Sequence, residues 1–525
     1  MAPLVCTMPG DLWSLEELPH STRRPEKHLL KFVRPPVPAD YVRFIPYAWR
    51  VKCLSNDLTA QFSRAKQIRT HPEVLSTLES FRPSVHLLPH IKELSLTLTK
   101  YTVGPVRVLL SPKLEKLSYS IQPTRDKATK TAIKQDTMQL FQKLGRVCPN
   151  LTQLTLDCSM RSKELRHELA NTLSNLPYLI LFVLKKPSVD IPILRALSLL
   201  SNLRVMVIDY IIGDEEWAGL PLRVLSFETL GMLNLNTDSM DAAYNLLHSI
   251  NSPILQAVGL EVSSPASRSL VEKVFTEFAT RHQDLRYLKL VLPCAEADPP
   301  QEILTPDTLR PLLKVKELIT VDLHGCPIAL DDRFVLRCAD AWPKITGLRL
   351  GVRHGLGEPC STVSLSALVP FVHKCPSLRL LGLPLDPAPV ALAREMRNIP
   401  PSLCGGHSQH QLETLQVGQV AITDVPMVAG FLSGLFPGLL CIDPACSEDE
   451  LESDEEEEDG ETRMLNADRW EAVMDEIPDF AAVRRQERAW GQAQGKRFLK
   501  RDKTCGPFGL TPQALRMVEQ REQQR

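Results

Sequence analysis

The hexapeptide Leu285-Arg286-Tyr287-Leu288-Lys289-Leu290 has the form L-x-x-L-x-L, and close variants of it recur along the chain. Clear copies begin at Leu151 and Leu378, and others keep the pattern with Ile, Val, Met or Phe. The first positions of the copies are residues 91, 114, 151, 179, 203, 222, 255, 285, 318, 345, 378, 412 and 439, so the mean step is 29 residues.

Repetition at this period around a short strand is typical of a leucine-rich-repeat array. A single short strand cannot bury its own apolar side, whereas stacked copies form a parallel sheet with a continuous core. Side chains alternate along a strand, so the last two Leu of each copy point inward and the residues between them point outward. The sequence therefore predicts an α/β solenoid with a curved parallel sheet, helices on its convex side and a concave face exposed to partners.

Length alone would suggest three or four domains, but the repeats favour one long array with tails. The 525 residues are 43% hydrophobic and carry a net charge of −1, so no global field favours nucleic acid or a membrane surface. The start of the chain lacks the pattern of a signal peptide. The longest apolar run, Leu176–Leu184, is too short to span a bilayer and is assigned to a buried strand. The 13 cysteines form no C-x-x-C pair and are interpreted as reduced core residues of a cytoplasmic or nuclear protein.

Five segments follow from these patterns: an N-terminal segment (1–33), a helical cap with the first units (34–90), the array (91–445), an acidic disordered linker (446–465) and a helical, basic tail (466–525).

Leu12-Trp13 with Leu15 and Leu18 suggests a short helix. Pro38 precedes a predicted helix bearing Tyr41, Phe44, Ile45 and Ala48 on one face, followed by a capping strand at Val51 and Leu54. A further helix is predicted from the spacing of Val74, Leu75, Leu78 and Phe81.

Within the array, several units share a second signature. Cys326 follows the last strand Leu of its unit, and Asp331 or Asp332 then suits a helix N-cap. Asp424 has the same place in a later unit. Cys148-Pro149 and Cys375-Pro376 are predicted helix-to-strand joints, because proline ends a helix.

Charge changes abruptly after the array. Residues 448–461 contain 11 Asp or Glu in 14 positions, a density that predicts disorder. A helix is predicted over Asn466–Trp490, with an apolar stripe of Trp470, Val473, Ile477, Phe480 and Val483.

No catalytic constellation is present in the sequence. It contains no G-x-S-x-G, phosphate-binding glycine loop, H-E-x-x-H or dinucleotide fingerprint, so the chain is predicted to be a non-enzyme without a cofactor or small-molecule substrate. Cys404, His407 and His410 form the one metal-like cluster, but no fourth ligand is evident. A glycine-bearing loop between repeats is the favoured interpretation, so no metal site is predicted.

The concave face is the candidate binding surface. Alternation places Tyr287, Lys289, Thr320, Asp322, His324 and Arg349 there. Aromatic, charged and hydrogen-bonding groups together suit protein recognition. An ordinary solvated sheet face is the alternative, and neither membrane nor nucleic acid is expected as a partner.

Two basic clusters in the tail have the spacing of a bipartite nuclear import signal. They consist of Arg484, Arg485, Lys496, Arg497, Lys500 and Arg501. A solvated basic helix face is an equally good interpretation.

Several segments resemble known proteins. The Cys-bearing unit with its L-D-D cap (321–332) resembles the repeats of F-box proteins. Leu12-Trp13, RPPVPADYVRFIPYAWRVKCL (34–54), LDDRFVLRCADAWPKITGLRLG (330–351), CPSLRLLGLPLD (375–386), FPGL (436–439) and RWEAVMDEI (469–477) resemble, in this order, the F-box/leucine-rich-repeat-like proteins of mushroom-forming fungi.

That resemblance implies a substrate-receptor subunit of a Skp–cullin–F-box ubiquitin ligase. In that family an F-box binds a Skp adaptor, and the repeats hold a protein substrate. Only eleven residues precede the Leu12-Trp13 match, so the F-box is expected to be missing or reduced to its last helix, and Skp binding is expected only if an F-box is present. The alternatives are a stand-alone repeat scaffold without ligase coupling and a nuclear protein that binds histones through its acidic run.

Overall fold

The structure is a computed structural model of the chain. It describes residues 1–17, 27–55, 67–82, 84–98, 105–124, 126–158, 162–185, 189–209, 225–293, 302–323, 326–351, 363–385, 408–418, 422, 424–444 and 457–501. By its contacts the chain divides into two compact units, Met1–Pro327 and Ile328–Arg525.

The first unit is dominated by one parallel sheet. The strands of the first unit, in this sheet and in two smaller ones, are β1 (Trp13–Glu17), β2 (Lys27–Phe32), β3 (Cys53–Ser55), β4 (Gln67–Thr70), β5 (Glu93–Leu98), β6 (Lys116–Ile121), β7 (Gln153–Asp157), β8 (Leu181–Lys185), β9 (Val205–Ile208), β10 (Leu225–Ser226), β11 (Met232–Thr237), β12 (Ile250–Asn251), β13 (Ala257–Val262), β14 (Tyr287–Val291) and β15 (Thr320–Leu323). The parallel order is β3-β5-β6-β7-β8-β9-β11-β13-β14-β15. This confirms the predicted α/β repeat fold.

Apolar ladders run across this sheet in register. In the first ladder each residue lies opposite the equivalent residue of the next strand, and all are buried: Leu94, Leu117, Leu154, Phe182, Met206, Leu233, Val258, Leu288 and Val321. A second ladder lies two residues further along, from Leu96 and Tyr119 to Leu290. Both ladders occupy the inward positions of the hexapeptide, as the alternation of side chains predicted.

One predicted copy of the repeat is misplaced. The copy expected at Leu222 does not supply a strand of the main sheet, because Leu225 lies in β10, which pairs only with β12 in a separate two-stranded sheet. The strand at this place is β11, whose inward residues are Leu233 and Leu235. Both windows fit the leucine pattern, and the spacing alone did not distinguish them.

Helices cover the ladder side of the sheet, and most of them return the chain from the end of one strand to the start of the next. Those of the first unit are α1 (Ala2–Val5), α2 (Tyr41–Ala48), α3 (Pro72–Phe81), α4 (Lys127–Val147), α5 (Lys163–Leu173), α6 (Ile191–Ser198), α7 (Met240–Ser249), α8 (Arg268–Arg281) and α9 (Pro306–Leu309), with 3₁₀ turns at Pro38–Asp40, Val106–Leu109 and Arg310–Lys314. Side-chain oxygens of Asp126, Asp190 and Ser239 accept hydrogen bonds from the first free amides of α4, α6 and α7.

The N-terminal region differs from its prediction. Strand β1 pairs antiparallel with β2, and β2 pairs parallel with β4, so Leu12-Trp13 leads into a strand and not into a short helix. Helix α2 buries Tyr41, Phe44 and Ala48 as predicted, but Ile45 is exposed. Strand β3 pairs with β5 and so begins the main sheet, as expected of a capping strand.

A buried carboxylate fixes the entry into α2. Asp40 accepts hydrogen bonds from Arg34 Nη1 at 2.6 Å and Nη2 at 2.9 Å, and from the Val37 amide at 2.8 Å. Arg34 also donates to Asp11, joining the start of the chain to the turn before the helix. The hydrogen bonds from Arg34 and then from Val37 lower the pKa of Asp40 to about 2.

The second unit repeats the pattern on a smaller scale. Strands β16 (Gly347–Leu350), β17 (Leu380–Gly382), β18 (Thr414–Gln416) and β19 (Cys441–Asp443) pair in parallel in sequence order. The helices are α10 (Asp332–Ala341), α11 (Val369–Lys374), α12 (Val425–Leu435) and α13 (Glu457–Arg501), with a 3₁₀ turn at Leu365–Leu368. Asp331 caps α10 and Asp424 caps α12, as predicted.

The long helix α13 begins inside the segment predicted to be disordered, because residues 457–465 are helical. Glutamate favours helices and is stabilised near their N-termini, so an acidic stretch in this place can extend a helix. The inward stripe is Trp470, Val473, Ile477 and Ala481, all buried, and it packs on α12. The predicted member Val483 is instead 52% exposed. Among the described helices, none has both the length and the apolar composition needed to cross a bilayer.

Candidate functional site

The candidate site of the first unit is the sheet face opposite the ladders, which we call the open face. It comprises the outward, alternate residues of the main-sheet strands β5, β6, β7, β8, β9, β11, β13, β14 and β15, on the side away from the ladders. A solvated sheet face normally carries polar side chains at such positions. Departures from that rule are therefore informative about binding.

The first strands of the open face follow the rule. Lys116 Nζ lies 2.6 Å from Glu93 Oε1 across β6 and β5, and this hydrogen bond lowers the pKa of Glu93 and raises that of Lys116. Ser120 Oγ donates to Asp157 Oδ2 at 3.2 Å, joining β6 to β7. These strands thus use their polar groups to bind one another.

Strands β8 and β9 break the rule. Their outward residues are Leu181 and Val183 on β8, and Val205 and Val207 on β9, and the four lie opposite each other in register. Each is partly accessible to solvent. Met232 of β11 lies opposite Val205 and is 39% exposed. We call these five residues the aliphatic patch. Apolar side chains clustered on a face that is otherwise polar mark an interaction surface.

The open face of the next strand, β13, carries small residues. The outward residues of β13 are Ala257 and Gly259, which project little or nothing from the sheet. Gly259 lies so close to Asn234 that a Cβ atom in its place would be 2.5 Å from Asn234 Oδ1. Beyond β13 stands Tyr287 of β14, which is 48% exposed and lies opposite Ala257.

The structure brings four of the predicted site residues together. Tyr287 lies opposite Thr320, and Lys289 opposite Asp322, on neighbouring strands β14 and β15. All four are on the open face, on the two strands that follow β13 in the sheet. Their orientation is as predicted from the alternation of side chains, and their role in binding stays a prediction.

The other two predicted residues are not part of this cluster. Arg349 belongs to β16 of the second unit, where it lies between buried Leu348 and Leu350 and so points outward from its own strand. His324 lies outside the described residues.

Carboxylates collect at one edge of the open face. Asp157, Asp209 and Glu261 stand at the carboxyl ends of β7, β9 and β13, and exposed Asp238 follows β11. Among the residues that the structure describes at these strand ends, Lys185 of β8, opposite Asp157, is the one cation. We call the four carboxylates the acidic edge. Its field favours cationic partners and opposes phosphate groups.

The tail residues predicted as an import signal lie on α13. Arg484 donates to Gly430 O at 2.6 Å and to Ser433 Oγ, so its guanidinium is engaged with α12. Arg485 is exposed, and Lys496, Arg497, Lys500 and Arg501 occupy helical positions. The first of the two basic clusters therefore serves packing in part, and its role in import stays a prediction.

Buried cysteines are structural. Burial raises the pKa of Cys148 and of Cys158 to about 12, so neither thiol is poised as a nucleophile. The cysteines within the described ranges are all free thiols. Of the metal-like cluster, Cys404 and His407 lie outside the described residues, and His410 Nε2 is 3.0 Å from Ser408 Oγ.

The aliphatic patch was not predicted from the sequence. The run Leu176–Leu184 was assigned wholly to a buried strand, but within it Leu181 and Val183 point outward. A usable signal was present, because β8 and β9 lack the alternation of apolar and polar residues seen in the polar strands. Continuous apolar runs fit a strand covered on both faces as well as a strand with one apolar exposed face.

No family model matches the chain, and no curated protein matches it. Among solved structures, an internalin (inlF) from Listeria monocytogenes is 12% identical, with a TM-score of 0.32 over 69% of this chain and 82% of that one. A leucine-rich-repeat protein from Leptospira interrogans is 11% identical, with a TM-score of 0.31 over 80% and 96%. The plant peptide hormone receptor RGFR1, in complex with RGF2, is 13% identical, with a TM-score of 0.28 over 72% and 57%.

The fold itself rests on the structure of this chain. Short parallel strands recur with in-register apolar ladders, and helices or turns return the chain between them. Such stacking of short units, each of which contacts its neighbours, defines a solenoid. The described part of the chain therefore has a leucine-rich-repeat-like α/β solenoid fold.

Proposed function

We propose that this chain is a non-enzymatic scaffold that recognises another protein through the open face of its first unit. The aliphatic patch carries this proposal. Leu181, Val183, Val205, Val207 and Met232 are accessible apolar side chains in register on three neighbouring strands. Leaving them in water is unfavourable, and covering them with a partner recovers about 25 cal/mol for each Å² of apolar surface.

The surroundings of the patch also support protein recognition. Interfaces combine an apolar centre with a polar rim and are enriched in Tyr. Tyr287 and Lys289 lie on one side of the patch, and the polar strands β5 to β7 lie on the other. This arrangement gives a partner both buried area and directional hydrogen bonds.

Site-specific photo-cross-linking in cells tests the proposal. A photoreactive amino acid replaces Val207 on the open face or, in the matched control, Leu199, which is 79% exposed beyond the end of α6. We expect covalent protein adducts from position 207 that are absent from position 199. Adducts of the same identity from both positions, or none from position 207, would refute recognition through the open face.

The finer proposal is that the recognised protein is a ubiquitin-ligase substrate, and that the chain acts as a receptor in a Skp–cullin–F-box complex. Its support is the ordered resemblance of segments within residues 12–477 to F-box/leucine-rich-repeat-like proteins. Co-purification with a Skp adaptor tests it. Adducts from position 207 without adaptor binding would favour the stand-alone scaffold.

The acidic run offers a separate candidate function in the nucleus. Residues 448–461 hold 11 Asp or Glu and would attract the basic surfaces of histones. This candidate requires salt-sensitive histone binding that disappears when residues 448–461 are deleted. It also requires nuclear import, for which the basic residues of α13 are the proposed signal. Replacing Lys500 and Arg501 with Ala would then reduce the nuclear accumulation of the protein.

A further inference from the structure

The open face has two parallel rows of outward residues. In the first row Leu181, Val205, Met232, Ala257 and Tyr287 lie side by side on five neighbouring strands. Each has a counterpart two positions further along its strand, and these counterparts form the second row: Val183, Val207, Asn234, Gly259 and Lys289.

The dimensions of these rows suit one helix. Neighbouring strands are about 4.8 Å apart, so the first row is about 19 Å long, and the two rows are separated by about 6.6 Å. A helix is about 10 Å across with its side chains and rises about 1.5 Å per residue. A helix of about 13 residues therefore covers both rows when its axis crosses the strands.

The side chains of the first row differ in size and exposure along its length. Leu181, Val205 and Met232 make an accessible apolar stretch of the first row, Ala257 beside it is small and largely buried, and half-exposed Tyr287 ends the row. Apolar contacts with this stretch and with Tyr287 at its end would fix the position of a bound helix along the row, as aromatic anchors do at other interfaces.

The negative charge of the acidic edge then favours a bound helix with basic side chains on one flank. The acidic edge lies about 6.6 Å beyond the second row, since Asp209 is two residues after Val207 and Glu261 two residues after Gly259. One flank of a helix on the rows faces these carboxylates. Lys or Arg on that flank gains favourable interactions there, whereas acidic side chains or the phosphates of a nucleic acid are repelled.

We propose that the open face binds an amphipathic helix of a partner protein, with its apolar stripe on the two rows and a basic flank over the acidic edge. This inference rests on the proposed function and names the chemistry of the partner. Recognition of an apolar helix face follows the spacing of three and four residues. Cationic residues on one side of that face give the helix its orientation.

Binding of designed peptides to the full chain tests this inference by fluorescence anisotropy. The peptides have about 18 residues with a leucine stripe at helical spacing and either Lys or Glu along one flank. We expect the Lys peptide to bind at least about tenfold more tightly than the Glu peptide, with an affinity that falls as salt rises. A proline-broken version of the Lys peptide is expected to bind weakly, because it cannot form the helix.

Matched variants locate the binding. Val207→Asp is expected to weaken the Lys peptide at least about tenfold, and Leu199→Asp to leave it unchanged. The double variant Asp238→Lys/Glu261→Lys changes only exposed residues, so it should fold, and it is expected to reverse the preference toward the Glu peptide.

Three results would overturn the inference: equal binding of the Lys and Glu peptides, equal effects of Val207→Asp and Leu199→Asp, or full binding of the proline-broken peptide. If these occur while photo-cross-links from position 207 persist, the open face still recognises proteins but not a basic amphipathic helix. If the cross-links are absent as well, the proposed function fails with it.

Discussion

At the scale of single residues, the ladders decide stability. Leu288 is buried between Val258 and Val321 on the neighbouring strands. Leu288→Asp places a carboxylate in this apolar row without a partner, and the expected loss of stability is more than about 4 kcal/mol. Urea unfolding measures it, with Lys289→Thr on the open face as the control, expected to lie within about 0.5 kcal/mol of the wild type. Equal midpoints for Leu288→Asp and the wild type would show that the assigned register is wrong.

Also at this scale, Asp40 makes the folding stability depend on pH in the acidic range. Its pKa in the folded chain is about 2, against an ordinary value of 3.8. The unfolded chain therefore takes up the proton first as pH falls, so the contribution of Asp40 is complete above about pH 5 and is lost between pH 4 and pH 2. We expect Asp40→Asn to remove this part of the pH dependence, measured as unfolding midpoints from pH 6 to pH 2. An unchanged acid profile in Asp40→Asn would exclude the pair with Arg34 as its source.

At the scale of elements, the buried stripe of α13 packs on α12. Trp470 is 1% exposed and lies with Val473 and Ile477 in the inward stripe of α13. Trp470→Ala leaves a cavity, and we expect a loss of about 3–5 kcal/mol in the stability of the second unit. Val483→Ala is the control on the same helix, because Val483 is exposed and should change stability little. Comparable losses in both variants would mean that the helix packs through the stripe predicted from the sequence.

At the scale of the whole molecule, stability should be distributed along the array. Each repeat contacts mainly its neighbours, so a local defect weakens nearby strands more than distant ones. Hydrogen exchange measured by mass spectrometry tests this in Leu288→Asp. We expect faster exchange in β13 and β15 than in β5 and β6, relative to the wild type. A uniform increase over all strands of the first unit would instead indicate one cooperative unit.

The sequence by itself determined the repeat, because each short strand needs its inward Leu buried against the next one, and that requirement is local and periodic. It also determined the caps at Asp331 and Asp424 and the outward position of Tyr287. Tertiary structure alone decided which of two leucine windows forms β11, since strand pairing over a long sequence separation made that choice. It also decided that Leu181, Val183, Val205 and Val207 form one exposed patch, since the register of parallel strands sets which side chains become neighbours.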